Sequence, residues 1–472
     1  MNKIIKNMSL YTLGNVLPKA AGFILLPIYT RYLTPDEYGI VASMTVLSTI
    51  LVVFFSMAIE RSMPRLYFDY KNVEARRDFL GTLTITLIVI SLSVLLILFL
   101  LKDIVSMIFK SIDFYPYYAY IILCTFLSVF ACIPMTYFRI EEEAHKFISL
   151  AIGSFVLTTF FKLWFVCGLN QGAAGFLKGM LFANIIMLPL YLFITHKIVN
   201  FTFKFSILKE SLSFSMPMIP ALLSAWILNL SDRIFIERYY TLSDVGIYSV
   251  GYTITGGILV LTMAFFMAYE PMFYRLANSY DQINAKRKLT KYNNTFLIVL
   301  IFIVFLVAFF SKEFVVLLLD PKYADAYLIV PIFALGFLFS QSGGLFNPMI
   351  YQQKKTKQAM YIVFGCAIFN VIFNFLLVPK FGMYGAASAT CLTFIIMFRI
   401  KYWYAKKCYF IPIKGKKMML HISVLLIVFL IFLFINIDIY MSLVLKIGVL
   451  IILGPVLLRK YIPTIKGLME TA

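Results

Sequence analysis

Residues 31–43 read RYLTPDEYGIVAS, and residues 238–250 read RYYTLSDVGIYSV. Five pairs recur at one spacing of 207 residues: Arg31 with Arg238, Tyr32 with Tyr239, Thr34 with Thr241, Gly39 with Gly246, and Ile40 with Ile247. The same spacing carries Pro64 onto Pro271 and Tyr67 onto Tyr274. Further on, PMTY at 134–137 matches PMIY at 348–351 with an offset of 214, and GAAG at 172–175 matches GAAS at 385–388 with an offset of 213. Most matches fall on Arg, Gly, Pro and Tyr at the edges of apolar runs, so shared hydrophobicity does not account for them. They mark an internal duplication. A small insertion before the tenth apolar segment accounts for the changed offset.

The apolar runs between these motifs set the class. Of 472 residues, 62% are hydrophobic and 14% charged, and the mean hydropathy is +0.90. Soluble proteins are typically about 45–50% apolar and about 25% charged. A water-soluble fold cannot hide this much apolar surface, which excludes a cytosolic enzyme, a disordered chain and a secreted disulfide scaffold. About fourteen segments approach the ~20 residues that span hydrocarbon, from 10–32 and 39–59 through 358–378 and 383–405 to 419–436 and 440–458. The expected fold is an all-α integral membrane protein of about 14 transmembrane helices: two six-helix repeats plus two extra C-terminal helices. The lobes are expected at 1–205 and 206–410, with the added helix pair and tail at 411–472. The basic N-terminus resembles a signal peptide, but Lys19 interrupts the apolar run and no clean cleavage site follows, so a retained first helix is expected.

The net charge of +20 would suggest nucleic acid in a soluble protein. Here the loops explain it. Assigned alternately from a cytoplasmic N-terminus, they place 30 of the 42 Lys and Arg on that side and seven outside. This is the positive-inside pattern, and it predicts cytoplasmic termini and an even number of spans. Six spans per repeat make the repeats parallel, a plan typical of carriers that rock about a central site. All loops are short and GxxxxGK is absent, so neither an extramembrane catalytic domain nor a P-loop is expected. Six scattered Cys form no CxxC pair, and three His show no metal spacing. No metal or cofactor is expected.

A charge near the centre of a span costs at least about 2.5–3.5 kcal/mol and should face a cavity or a partner. Lys19, Lys162, Lys178 and Arg233 form the candidate cationic lining for an anionic substrate, with snorkelling or packing ion pairs as the alternative. Asp232 and Arg233 pair with each other or with Lys19 in that alternative. Lys446 lies in the added helix pair and is expected to be structural. Glu60, Arg61 and Glu270 lie at the cytoplasmic ends of the second and eighth spans, at nearly equivalent repeat positions. With Asp232, they are the candidates for ion coupling or gating. Arg31 and Arg238 suit helix-end anchors or gates.

LTPDEYG at 33–39, SDRIFI at 231–236, GIYSVGY at 246–252 and the 6+6+2 plan together resemble the bacterial polysaccharide flippases of the multidrug/oligosaccharidyl-lipid/polysaccharide exporter superfamily. The resemblance covers essentially the whole chain, through individually loose motifs. It implies a transporter and not an enzyme, located in the bacterial cytoplasmic membrane. Its implied cargo is an undecaprenyl-pyrophosphate-linked oligosaccharide, moved from the cytoplasmic to the outer face. It also implies a basic central cavity, matched here by Lys19, Lys162, Lys178 and Arg233. A proton or Na⁺ is the candidate coupling ion, and a polysaccharide polymerase the candidate protein partner. The alternatives are a cation-coupled drug exporter of the same superfamily and a lipid-linked peptidoglycan precursor flippase. A membrane polymerase or ligase fits less well, because it needs a large outer loop with catalytic Arg or His.

Overall fold

The computed structural model describes residues 14, 18, 21–413, 422–425, 427–429 and 438–458. Most of the expected span 419–436, part of the expected span 10–32 and the candidate Lys19 fall outside these residues. Among the described residues the chain is all helix and turn, with no strand. This follows from the solvent: hydrocarbon offers no hydrogen-bond partner, so each spanning segment must satisfy its own backbone.

In chain order the principal helices are α1 (Leu26–Tyr32), α2 (Pro35–Ser56), α3 (Val73–Leu100), α4 (Phe114–Ile140), α5 (Ala144–Gly168), α6 (Gly172–Ile198), α7 (Phe205–Leu230) and α8 (Asp232–Tyr239). They continue as α9 (Leu242–Ala277), α10 (Gln282–Phe309), α11 (Ser311–Leu318), α12 (Ala326–Tyr351), α13 (Thr356–Lys406) and α14 (Ile439–Leu458). Ten of these are long and apolar enough to cross a membrane. Gly382 interrupts the 51 residues of α13 with φ 55° and ψ −134°. Beyond that turn, a side chain on Gly385 would overlap the Leu377 carbonyl oxygen, so α13 folds back on itself as a hairpin. The segments expected at 358–378 and 383–405 are therefore two arms of one element.

Exposure confirms the solvent. On α3, Phe79, Leu80, Leu83 and Leu87 are buried, while Leu92, Leu96, Ile97 and Leu100 are exposed. Both faces are apolar, so the outer one requires lipid. The protein is a multi-pass membrane protein.

Packing divides the chain into two compact units, residues 1–21 with 28–249, and 22–27 with 250–472. This boundary lies later than the repeat boundary expected at 205/206, because α7 packs on α2 and α3. In the first unit α6 is the hub, touching α5, α4 and α2. In the second, α12 packs along α13 and α10.

The second unit also holds a buried ion pair. Lys446 Nζ on α14 donates to Glu313 on α11 (2.9 Å to Oε2) and to the Phe309 carbonyl (2.6 Å). Ser442 Oγ donates to Glu313 Oε1 (2.6 Å), and both charged side chains are over 90% buried. Lys446 thus ties α14 to α11 within the second unit, a structural role as expected. Removing one partner strands the other charge, at a cost of about 3–5 kcal/mol. Lys446→Ala or Glu313→Ala should markedly lower the unfolding temperature in detergent. The paired Lys446→Met/Glu313→Leu variant should recover most of the loss.

Candidate functional site

The duplicated motif builds the same device twice. Thr34 caps α2: its hydroxyl accepts from the Glu37 N–H (3.2 Å), and the Glu37 carboxylate accepts from the Thr34 N–H (2.8 Å). At the start of α9, the Thr241 hydroxyl accepts from the Asp244 N–H (3.2 Å), and the Asp244 carboxylate accepts from the Thr241 N–H (3.2 Å) and hydroxyl (2.6 Å). These reciprocal boxes satisfy the free N–H groups of each first turn. The glycines of the repeat then meet. A Cβ on Gly39 would overlap the Leu242 carbonyl, and one on Gly246 the Pro35 carbonyl. Each glycine thus admits the other helix's first turn.

The other repeats also become local devices. GAA opens α6 and the second arm of the α13 hairpin, where Gly175 and Gly385 seat against the preceding helix. PMTY and PMIY follow breaks in α4 (a 3₁₀ turn at Val129–Ala131) and α12 (at 345–346). Gly172, at φ +55°, packs against the Glu37 carboxylate, so two motifs meet in the first unit.

Around Tyr248 the structure gathers buried polar groups. The Tyr248 hydroxyl donates to the Asp232 carboxylate. The Arg233 guanidinium lies 5.2 Å from the Tyr248 ring centre and donates to the Asn229 carbonyl (3.0 Å). Asp232 and Arg233 are 0% and 3% exposed. Nearby in sequence, buried Glu237 accepts from the Ser111 N–H (2.6 Å). Each of these groups is held by the protein's own dipoles, as a buried charge requires.

Lys162 and Lys178 come together on the α5–α6 hairpin. A Cβ on Gly179 would lie 2.7 Å from the Lys162 backbone nitrogen, so the helices touch at the residue beside Lys178. Lys162 Nζ sits 4.3 Å from the Phe176 ring centre, and Lys178 Nζ sits 4.9 Å from that of Phe165. Ring faces attract the ammonium groups without neutralising them. Neither lysine forms an ion pair among the described residues.

The carboxylates of the two halves differ more than their sequences suggest. Met57 and Ala58 both adopt left-handed backbone (φ 48° and 53°), ending α2 and leaving Glu60 and Arg61 on a 3₁₀ turn. Glu60 Oε1 is 3.5 Å from the exposed Arg61 Nε, while Oε2 is buried with no hydrogen bond among the described residues. Glu270 is exposed on the unbroken 36-residue α9. Tyr67 donates to Glu141 Oε1 (2.6 Å), and burial followed by that hydrogen bond pushes its hydroxyl above the ordinary phenol range.

Lys401 has no counterpart among the expected site residues. By sequence it belongs to a basic run ending a span. In the structure it is 7% exposed on α13, its stem against Gly343. The buried Asn370, Asn374 and Thr390 of α13 likewise hydrogen-bond to one another, unmarked by any sequence motif.

Residues 28–328 match the profile of the family described as "Polysaccharide biosynthesis protein". The chain belongs to that family. Among curated relatives, "Capsular polysaccharide biosynthesis protein CapF" of Staphylococcus aureus is 22% identical over 421 residues, covering 85% of this chain and all of CapF. The "Uncharacterized membrane protein MJ1068" of Methanocaldococcus jannaschii is 31% identical over 102 residues, but that match spans only 20% of the relative. Among solved structures, the "Lipid II flippase MurJ, inward closed conformation" superposes with a TM-score of 0.73 at 14% identity, covering 96% of this chain and 99% of that one. A mutant of the Vibrio cholerae MATE transporter VcmN gives 0.57 at 14% identity, covering 86% and 96%. This member of the polysaccharide biosynthesis family therefore has the fold of membrane transporters, as the resemblance implied.

The reciprocal glycines give a direct test. Gly39→Leu and Gly246→Leu place side chains against backbone, which no rotamer change relieves, and overpacking of this kind costs about 1–3 kcal/mol. Each should lower the unfolding temperature of the protein in detergent. Gly153→Ala, where a Cβ meets nothing within 4 Å, should leave it unchanged.

Proposed function

We propose that this protein flips undecaprenyl-pyrophosphate-linked oligosaccharide repeat units across the bacterial cytoplasmic membrane, from the cytoplasmic to the outer face, for surface polysaccharide assembly. The observation that carries this is the match of 96% of the chain to the structure of a lipid II flippase, in a chain of the polysaccharide biosynthesis family. The drug-exporter alternative is weaker: its fold match is looser, and the candidate lining charges are basic.

The physics supports the cargo. A pyrophosphate cannot leave water unless charged donors replace its hydration shell. Lys162 and Lys178 are the best-supported donors, since their ammonium groups rest on rings and carry no paired carboxylate among the described residues. Arg233 is engaged with Tyr248 and Asn229, which suits a positioning role. Lys19 completes the set of candidate cations. The two six-helix halves alternate in exposing this site, with both termini cytoplasmic. Glu60, with one buried carboxylate oxygen lacking a hydrogen bond among the described residues, is better placed than Glu270 to take up a coupling proton or Na⁺. A polymerase would then consume the cargo on the outer face.

Deleting the gene should remove surface polymer and leave lipid-linked repeat units on the cytoplasmic face. Unchanged polymer refutes the proposal, and loss of viability without polymer loss assigns the cargo to peptidoglycan synthesis. Lys162→Met/Lys178→Met should lower export about tenfold or more at normal protein levels, the loss of about 1.4 kcal/mol or more of anion binding. The Arg pair at those positions should retain most of it.

A further inference from the structure

At the end of the α5–α6 hairpin remote from the GAAG turn, α4, α5 and α6 enclose a cavity of about 540 Å³. It lies wholly within the first unit and contains none of the residues assigned above to cargo or coupling. Its floor is rigid: Phe138 and Leu150 line it and also belong to a buried cluster with Phe147, Met187 and Tyr191. Its wall is apolar, through Phe193, Ile194 and Ile198 of α6. Leu190, Leu192 and Phe193 are 43–56% exposed, so this stretch of α6 faces lipid.

The rim is cationic through Lys146 and Lys197, with His145 and one carboxylate, Glu143, beside them. Lys146 pairs with Glu143 at 2.7 Å. Lys197 lies 4.1 Å from the Phe193 ring centre and has no carboxylate partner among the described residues. The rim therefore keeps an excess positive charge.

Position joins these two halves of the chemistry. α5 begins at Ala144 and α6 ends at Ile198, so the cations lie at the first and last turns of spanning helices, at headgroup depth. From residue 144 to Leu150 the helix rises about 9 Å, room for a phosphate at the rim and the first methylenes of a chain below. Cationic rims over apolar walls at this depth suit anionic lipid headgroups. We propose that this groove is a binding site for a membrane phospholipid with an anionic headgroup, its phosphate on Lys146 and Lys197 and one acyl chain along Phe193, Ile194 and Leu150. Bound there, the lipid bridges α4, α5 and α6 at one interface of the first unit.

Native mass spectrometry of the full chain, released from detergent with phosphatidylglycerol or phosphatidylcholine, tests the site. The wild type should retain phosphatidylglycerol in preference to phosphatidylcholine. Lys146→Ala/Lys197→Ala should lose about fivefold per lysine, the scale of one interfacial charge on an anionic lipid. Lys146→Arg/Lys197→Arg should keep the preference, which separates charge from misfolding. Ile194→Trp, filling the apolar wall, should weaken retention with the rim intact. Equal retention of the two lipids, or undiminished phosphatidylglycerol on the double alanine variant, overturns the proposal. Displacement by millimolar inorganic phosphate also overturns it, by showing a free-anion site.

Discussion

A charge placed among membrane-spanning helices must be held by the protein, because the surrounding hydrocarbon holds nothing. This constraint organises the interior. Lys446 finds Glu313 and a backbone carbonyl, and Glu313 also accepts from Ser442. Asp232 finds the Tyr248 hydroxyl, and Arg233 the face of the same ring. Lys162 and Lys178 find rings. The partners divide the charges by kind. Buried against a carboxylate, Lys446 becomes a structural tie. A ring face steadies Lys162 and Lys178 and leaves their charge available to an anionic ligand.

The same economy governs the backbone. Each copy of the repeat begins a helix with a hydroxyl–carboxylate box, then places a glycine one turn inside it. The box frees the helix start from needing water, and the glycine lets two such starts pack against each other. Because each glycine seats the other copy's first turn, the contact is self-complementary, as expected where duplicated elements face one another. The symmetry is not carried through. Met57 and Ala58 break α2 before Glu60, whereas α9 runs on past Glu270 without a break. Two carboxylates at nearly equivalent repeat positions therefore differ in burial and hydrogen bonding, and of the two Glu60 has the sheltered oxygen.

Much of the fold was legible in the residues. The helical class followed from apolar run length, and the 207-residue spacing picked out the positions that the structure makes into caps and close contacts. The structural role of Lys446 was legible too, from its place in the added helix pair. Lys401 was not. It is sequence-adjacent to a basic cluster, and nothing local records that its stem packs against Gly343 of α12. In the sequence Tyr248 is one aromatic of the GIYSVGY motif, and an aromatic in an apolar run carries no sign of the two charges it serves.

By itself the sequence determined the solvent, the helical class and the duplication, because each depends on composition and spacing along one chain. Partnership was decided only in three dimensions. Whether a buried lysine meets a carboxylate or a ring, and whether three helix ends leave a groove between them, depends on which residues distant in sequence become neighbours. Apolar periodicity does not encode that pairing, because many helix rotations bury the same hydrophobic faces while presenting different polar groups to one another.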